Sequence, residues 1–418
     1  MSNSRQVALD VLITWDREGS YPNILLKDKL SLLSDVRERS FCTSLVYGVI
    51  ETKIKLDYLI SKVSSVPFKK IHIVNRNALR IGLYQILFMN VPVSAACNTA
   101  VNLVKKNGQA KSSGFVNAVL RKLASQENNF SFSDENDVRT LSIQYSVDPS
   151  IINLMLKRLD VSFVREYFEA LEKLPPNETT IAVNLIKTNA LALANELSKQ
   201  GVEIISKSDE LLTVKFTLDI SLLSSYREGH FHVIGRPSFE TVRKLDVSPG
   251  QTVIDLCSAP GGKTFALAYK MKNQGRIIAA DISPAKIDAM EREVRRLGIT
   301  NIEFLCADGT KCISNWNSCA DRVLCDVPCS GLGIIRKKPD IRYKDLTNFA
   351  LMDTQQKILK NGLSYLKHDG KLVYSTCTIN PAENQDVVSF FNDKLIEQKT
   401  FLPQTDATEG FYYALLEK

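Results

Sequence analysis

Apolar positions in the first third of the chain recur at intervals near 3.6 residues, in windows 7–15, 41–50, 54–63, 73–88, 96–104 and 115–123. One apolar stripe per window marks an amphipathic helix, so residues 1–145 are expected to form an all-helical bundle. A polar break at 108–114 interrupts the pattern, and a longer polar stretch at 126–137 lies near an expected domain boundary. From 146 to 236 the period changes. Helical spacing over 151–174 stops at Pro175-Pro176, and strand-like runs at 180–183 and 211–216 flank a helix at 190–199, which predicts a small α+β unit. From 237 to 418, short apolar runs at 252–256, 276–280, 302–306, 322–325 and 371–375 alternate with amphipathic helices, clearest at 284–297 and 351–366. Strands separated by such helices wind into a parallel sheet. The expected fold class is multidomain: an all-α bundle, a small α+β domain and a C-terminal α/β Rossmann-like domain.

Composition narrows the class. The chain has 418 residues, 44% hydrophobic and 24% charged, with Gly 19 and Pro 14, which excludes collagen-like and low-complexity proteins. The longest apolar region, 78–97, contains Arg80, Asn90 and Pro92 and cannot span a bilayer. The first residues lack the apolar core of a secretory signal, so a cytoplasmic protein without a membrane partner is expected. Nine cysteines with no C-x-x-C pair predict reduced thiols rather than a disulfide framework or a zinc site. Six of them, Cys257, Cys306, Cys312, Cys325, Cys329 and Cys377, lie in or near strand-like segments, where most are expected to be small buried hydrophobes. The net charge of +7 is uneven: residues 1–145 hold 19 Lys/Arg against 12 Asp/Glu, and the remainder holds 34 of each. A basic helical module beside a neutral domain suggests attachment to a polyanion.

The first strand of the C-terminal region runs into residues 255–264, Asp-Leu-Cys-Ser-Ala-Pro-Gly-Gly-Lys-Thr, and then a helix. Consecutive glycines at such a turn let the backbone approach a ligand and aim its amides at it. A phosphate-binding P-loop needs a glycine where Cys257 stands, and the dinucleotide fingerprint G-x-G-x-x-G is absent. A nucleoside-containing cofactor other than ATP or NAD remains. Asp281 ends the second expected strand, about 20 residues beyond the glycines, where an acid commonly holds ribose hydroxyls. Asp308 ends the third. Either could cap a helix, but their joint placement points to the carboxyl edge of an open sheet, where such folds bind ligands. The fourth strand ends in Asp326-Val-Pro-Cys329-Ser-Gly331, and the fifth in Ser375-Thr-Cys377-Thr378. Asn380-Pro-Ala-Glu383 comes next as a capping-box-like helix start. A thiol near a helix N-terminus is favoured as thiolate, so on chemistry alone nucleophilic and structural cysteine stand level.

Residues 255–264, 326–331 and 376–378 together resemble the S-adenosylmethionine-dependent RNA 5-methylcytosine methyltransferases, whose signature is P-C-S-G followed downstream by T-C-T. Residues 79–85, Leu-Arg-Ile-Gly-Leu-Tyr-Gln, and 114–121, Gly-Phe-Val-Asn-Ala-Val-Leu-Arg, resemble the NusB-like RNA-binding domain of one bacterial branch, the RsmB (Sun/Fmu) family. The resemblance covers nearly the whole chain and implies a NusB-like domain at 1–145, a linker or RNA-binding domain at 146–236 and a methyltransferase domain at 237–418. It implies that Cys377 adds to carbon 6 of a cytosine in small-subunit ribosomal RNA, that Cys329 assists product release, that Asp326 bonds the base edge, and that Lys263 holds the pocket's geometry. S-adenosylmethionine would lie on Cys257, Ser258, Ala259, Pro260, Gly261, Gly262 and Lys263, with Asp281 at the ribose, Asp308 at the adenine and Asp326 close by. A target base inside a helix is out of reach, so it must be unpaired or flipped out. Arg336, Lys337 and Lys338 are candidate RNA contacts, and a monomer is expected. The chain departs from the family's pattern at 233–238, Val-Ile-Gly-Arg-Pro-Ser in place of V-Q-D-x-S-S, and at 409–412, Glu-Gly-Phe-Tyr in place of D-G-F-F. Two rivals remain: a non-catalytic RNA-binding factor, and an enzyme acting on transfer RNA or on another ribosomal cytosine.

Overall fold

A computed structural model describes residues 4–19, 21–125, 136–216, 219–346 and 350–418. Most of the polar stretch at 126–137 lies outside them. The chain forms two compact units, Met1–Arg165 with Ile335–Thr347, and Glu166–Ile334 with Asn348–Lys418.

The first unit is helical: α1 (Ser4–Glu18), α2 (Pro22–Leu30), α3 (Val36–Glu51), α4 (Lys53–Val63), α5 (Ile73–Phe88), α6 (Val93–Lys106), α7 (Ser113–Ser125), α8 (Val138–Tyr145), α9 (Pro149–Leu156) and the start of α10 (Val161–Lys173). Apolar stripes close on one core, in which Val11 and Leu12 of α1, Val46 and Val49 of α3, Leu79 and Leu83 of α5 and Leu120 of α7 are buried. The helix expected over 151–174 is two helices, because the Asp160 carboxylate accepts the Phe163 amide at 2.8 Å and caps a second start. Residues 335–347 join this unit from far along the chain. Arg342 donates to the Tyr145 carbonyl at 2.6 Å and to Glu51 at 3.2 Å, and the Tyr343 hydroxyl donates to the Ile50 carbonyl.

The second unit holds two sheets. In the smaller, β1 (Glu178–Val183), β2 (Glu203–Lys207), β3 (Leu211–Lys215) and β4 (Phe231–Val233) run antiparallel in the order β2-β3-β1-β4. They pack with α11 (Ala190–Lys199) around Ile181, Leu193, Leu212 and Phe231, and α12 (Ser224–Arg227) precedes β4. Strand β2 escaped the periodicity because as an edge strand it exposes nearly every residue. The larger sheet orders β5 (Thr252–Asp255), β6 (Arg276–Asp281), β7 (Ile302–Cys306), β8 (Ala320–Asp326), β9 (Leu366–Thr376), β10 (Leu395–Phe401) and β11 (Phe411–Glu417) as β10-β11-β9-β8-β5-β6-β7.

Strands β5 to β9 are parallel, each read from its apolar run, whereas β10 and β11 add antiparallel and were not anticipated. They succeed one another without the crossover helix by which the other strands were recognised. Val253, Leu324 and Val373 face the layer of α13 (Arg236–Leu245), α14 (Gly262–Lys270) and α15 (Pro284–Leu297). Ile254, Val323 and Leu372 face that of α16 (Ala350–Tyr365). Cover on both faces explains the unbroken apolar runs. Among the described residues no helix is long and apolar enough to cross a membrane.

No cysteine forms a disulfide, as expected. The expectation that most of the six strand-associated cysteines are buried is corrected: only Cys325 is, Cys257, Cys329 and Cys377 are half-buried, and Cys306 and Cys312 are exposed. Cys325 lies inside a central strand, while the others sit on the edge strand β7 or in loops past strand ends.

Candidate active site

From β5 the chain steps outward through β6 and β7, then returns to lay β8 and β9 on the other side of β5. The crevice at the carboxyl ends of β5 and β8 is therefore a topological switch point, where open α/β sheets take their ligands. Register does the positioning. Asp326 of β8 pairs with Ser375 of β9, so the loops leaving these neighbouring strands carry Cys329 and Cys377 side by side, with their sulfurs 3.2 Å apart. The Ser375 hydroxyl donates to one Asp326 oxygen at 2.7 Å and Lys263 Nζ donates to the other at 2.7 Å. Lys263 also stands over the Phe411 ring, 5.1 Å from its centroid.

Both cysteine loops are tied to one buried carboxylate. Glu383 accepts the Ser330 amide at 2.8 Å and Gln355 Nε2 at 3.2 Å on one oxygen, and Asn380 Nδ2 at 3.0 Å on the other. Ser330 and Thr378 hydroxyls meet at 2.8 Å. Gly333 donates its amide to the Cys377 carbonyl at 3.0 Å, and a Cβ there would lie 1.9 Å from the Gly410 carbonyl oxygen, so this close approach requires glycine. The capping box expected after Cys377 does not form. Asn380 does cap, accepting the Ala382 amide, but Glu383 turns to the Cys329 loop. The chain continues as a three-residue 3-10 turn and a four-residue helix, broken at Asn384, so no helix dipole of useful length acts on Cys377.

The glycine turn stands as expected. Gly261 has φ +105° and its missing Cβ leaves room for the Phe265 ring, which an added methyl would meet at 2.2 Å. Asp281 is anchored in this turn: one oxygen accepts the Ala259 amide at 3.1 Å and the other the Ser283 amide at 3.0 Å. Each retains a lone pair for a ligand hydroxyl. Asp308 is occupied locally, accepting the Thr310 amide and hydroxyl at 3.0 and 2.7 Å, and these bonds hold its carboxyl below the usual range. Asp255 differs. Buried beneath the turn, it accepts the Thr264 hydroxyl at 2.7 Å on one oxygen while the other has no partner, and burial pushes its pKa up to about 7.

A cleft of about 180 Å³ opens here, bringing together Asp255, Cys257, Ser258, Pro260, Gly262, Lys263 and Asp326. Cys329, Cys377, Asp281 and Asp308 lie outside its lining. Its remaining wall is Val233, Ile234, Gly235 and Ser238, the segment that departs from the family's pattern. The Cys257 thiol is held well above its ordinary pKa, first by burial and then by the carboxylates Asp255, Asp326, Asp281 and Asp308. That ring of acids suits a cationic ligand. The Cys329 thiol is likewise pushed up, first by its hydrogen bond to Cys377 and then by burial. Arg336, Lys337 and Lys338 come after the Cys329 loop in sequence, and the two lysines are exposed.

Of the supporting residues, His232 went unread in the sequence, Ser375 was read only as a strand end, and Glu383 only as part of a helix start. His232, wholly buried, takes its Nε2 to 2.9 Å from the Gly262 carbonyl and its Nδ1 to 3.1 Å from the Tyr269 hydroxyl. Burial lowers its pKa to about 4, so it is neutral and fixes the start of α14 as a donor from Nε2.

Residues 242–417 match the family described as 16S rRNA methyltransferase RsmB/F, and residues 2–125 match the NusB family. A Bacillus subtilis (strain 168) protein named probable ribosomal RNA small subunit methyltransferase B is 33% identical over 402 residues, 93% of this chain and 87% of its own length. A protein of the same name from Synechocystis sp. is 30% identical over 452 residues and covers 100% of both chains. The crystal structure of PH0851 covers 100% of this chain and 99% of its own at 24% identity with a TM-score of 0.83, a likeness of fold. A likeness that runs along nearly the full length of these relatives places this chain in the RsmB/F family of 16S rRNA methyltransferases, to which it belongs.

Proposed function

We propose that the protein transfers the methyl group of S-adenosylmethionine to carbon 5 of a cytosine in small-subunit ribosomal RNA, with Cys377 as the nucleophile that activates the base. The observation that carries this reading is the pair of thiols 3.2 Å apart at the ligand-binding edge of the sheet, beside the Lys263–Asp326 ion pair. The cleft's chemistry fits the cofactor, since Asp255 presents a buried oxygen with no partner and the edge is ringed by carboxylates. When bound, S-adenosylmethionine supplies an electrophilic methyl on a sulfonium. Residues 257–263 would hold its methionine part, Asp281 its ribose and Asp308 its adenine, with Asp326 close by.

Carbon 5 of cytosine is a poor nucleophile until a thiolate adds at carbon 6. The Cys329 thiol, pushed up first by its hydrogen bond to Cys377 and then by burial, is the one held protonated, which leaves Cys377 as the nucleophile of the pair. Cys377 Sγ bonds to carbon 6, and the electron pair of the ring double bond makes carbon 5 nucleophilic. Asp326, steadied by Ser375 and Lys263, bonds the base edge and supports its protonated form. Once carbon 5 carries the new methyl, its proton leaves to a water beside Cys329, or to the Cys329 sulfur after that thiol has passed its own proton to solvent. The carbon–hydrogen electron pair then restores the double bond and expels Cys377.

The test compares two variants on a denaturing gel and in a methyl-transfer assay. Cys377→Ala should transfer no methyl yet bind the cofactor. Cys329→Ala should add to the base but release slowly, so a covalent protein–RNA adduct accumulates. An adduct from Cys377→Ala would exchange the two roles, and near-normal turnover by that variant would remove the mechanism. Mapping 5-methylcytosine in RNA from cells with and without the gene identifies the base.

A further inference from the structure

The helical unit holds a second cavity, of about 310 Å³, which the methyl-transfer chemistry does not use. Its size falls within the ~300–1,000 Å³ of pockets that hold small organic ligands. Three aromatic rings line it: Trp15 near the end of α1, Tyr21 at the cap of α2, and Tyr343 from the segment 335–347. Trp15 and Tyr343 meet edge to face at 5.8 Å, and Lys53 Nζ lies over both, 5.0 and 4.9 Å from their centroids. Tyr21 is 57% exposed, and Lys344 Nζ stands 5.4 Å from its centroid. The carboxylates in the lining are Asp16 and Asp340.

Lys53 is poorly matched by the protein alone. Its ion-pair partner, Asp16 Oδ1, is 3.8 Å away, beyond hydrogen-bond range, because Asp16 turns its other oxygen to Arg76 and Arg80 at 3.0 Å each. The ammonium therefore has donors available toward the cavity. The rings already carry a cation of their own, so an arginine or lysine from a peptide would meet like charge. A neutral π-face with an attached phosphate would not. The unit also holds the chain's excess of positive charge.

We propose that this pocket takes one unpaired nucleotide of the RNA, its base stacked on the exposed Tyr21 ring and bonded at its edge by Lys53, its phosphate toward Lys344. Every base offers a π-face, so the site anchors single-stranded or looped RNA with little sequence preference. The assignment rests on RNA being the substrate, and it gives the helical unit a nucleotide contact of its own.

The experiment uses the full chain and measures affinity for hexaadenylate, for an abasic ribose-phosphate hexamer of equal charge, and for adenosine 5′-monophosphate. Tyr21→Ala should weaken hexaadenylate binding about fivefold to a hundredfold, leave the abasic hexamer unaffected, and be rescued by Tyr21→Phe. Lys344→Ala should weaken both oligomers. In methyl transfer Tyr21→Ala should raise KM for RNA and leave kcat intact. No loss with Tyr21→Ala, or equal loss on the abasic hexamer, overturns the proposal. Adenosine monophosphate bound as tightly as the hexamer also overturns it and assigns the pocket to a free nucleotide. Failure of the Cys377 mechanism is read in adduct formation and kcat. A wild-type protein that binds no oligonucleotide removes the RNA reading itself.

Discussion

In the helical unit, the Arg80 guanidinium is withdrawn from water with its own donors answered. The guanidinium, 2% exposed, donates to both Asp57 oxygens at 2.6 and 2.7 Å, to Asp16 at 3.0 Å and to the Asn77 side chain at 2.9 Å. Burial works to raise the Asp16 pKa, yet Arg80, Lys53 and Arg76 outweigh it and the carboxyl stays below its ordinary value. Under the glycine turn of the other unit, Asp255 is 1% exposed with one oxygen unanswered, and burial wins. Charges that answer one another hold the scaffold together, whereas a buried carboxylate with an unanswered oxygen holds its proton more tightly.

The difference can be tested by breaking each side. Arg80→Met leaves Asp16 and Asp57 against an apolar neighbour and should destabilise the fold by about 3–5 kcal/mol in urea unfolding. A loss near zero would mean that these carboxylates reach water and that the network is not the scaffold described. Asp255→Asn acts through pH. The native pKa of about 7 exceeds the unfolded 3.8, so the folded state holds the proton more tightly, and the group's contribution is fully present below about pH 4 and lost as pH rises through 7. The stability of the wild type relative to Asp255→Asn should therefore fall, by on the order of 4 kcal/mol, between pH 4 and 8. His232 acts oppositely, its stabilisation present above 6.5 and lost toward pH 4, but it is common to both proteins and cancels in the comparison. A pH-independent difference would show that Asp255 stays ionised.

The smallest effect expected is at Asp281, a carboxylate already bonded to two amides and proposed to hold the cofactor's ribose as well. Asp281→Ala should weaken S-adenosylmethionine binding about tenfold to a hundredfold, through loss of a charge-assisted hydrogen bond worth roughly 1.5–3 kcal/mol. Calorimetry giving an unchanged Kd would reduce Asp281 to the tie that it makes with Ala259 and Ser283. RNA affinity should barely change.

The parallel strands β5 to β9 were legible because each is a short apolar run between helical segments, and the central ones are buried on both faces, a pattern written locally. The edge strand β2 and the pair β10 and β11 were not, since the first is mostly exposed and the others depart from that alternation. In the site, Gly261 was readable because a strand-to-helix turn demands that residue type. Glu383 was misread as a cap because its partner Ser330 lies 53 positions away. The same blindness to distance hid Tyr343, which reaches the Ile50 carbonyl across 293 positions of sequence.

By itself the sequence determined the helical bundle, the α/β sheet, the glycine turn and the two cysteine loops, because periodicity and residue type at a turn are local properties of the chain. It also determined which chemistry was at hand: two thiols, a lysine and strand-end acids. Only the tertiary structure decided that Cys329 and Cys377 lie 3.2 Å apart, that Lys263 pairs with Asp326, and that Asp255 keeps an oxygen without a partner. Those are consequences of strand order and register, set by which apolar faces find each other across the sheet, and no window of neighbouring residues contains them.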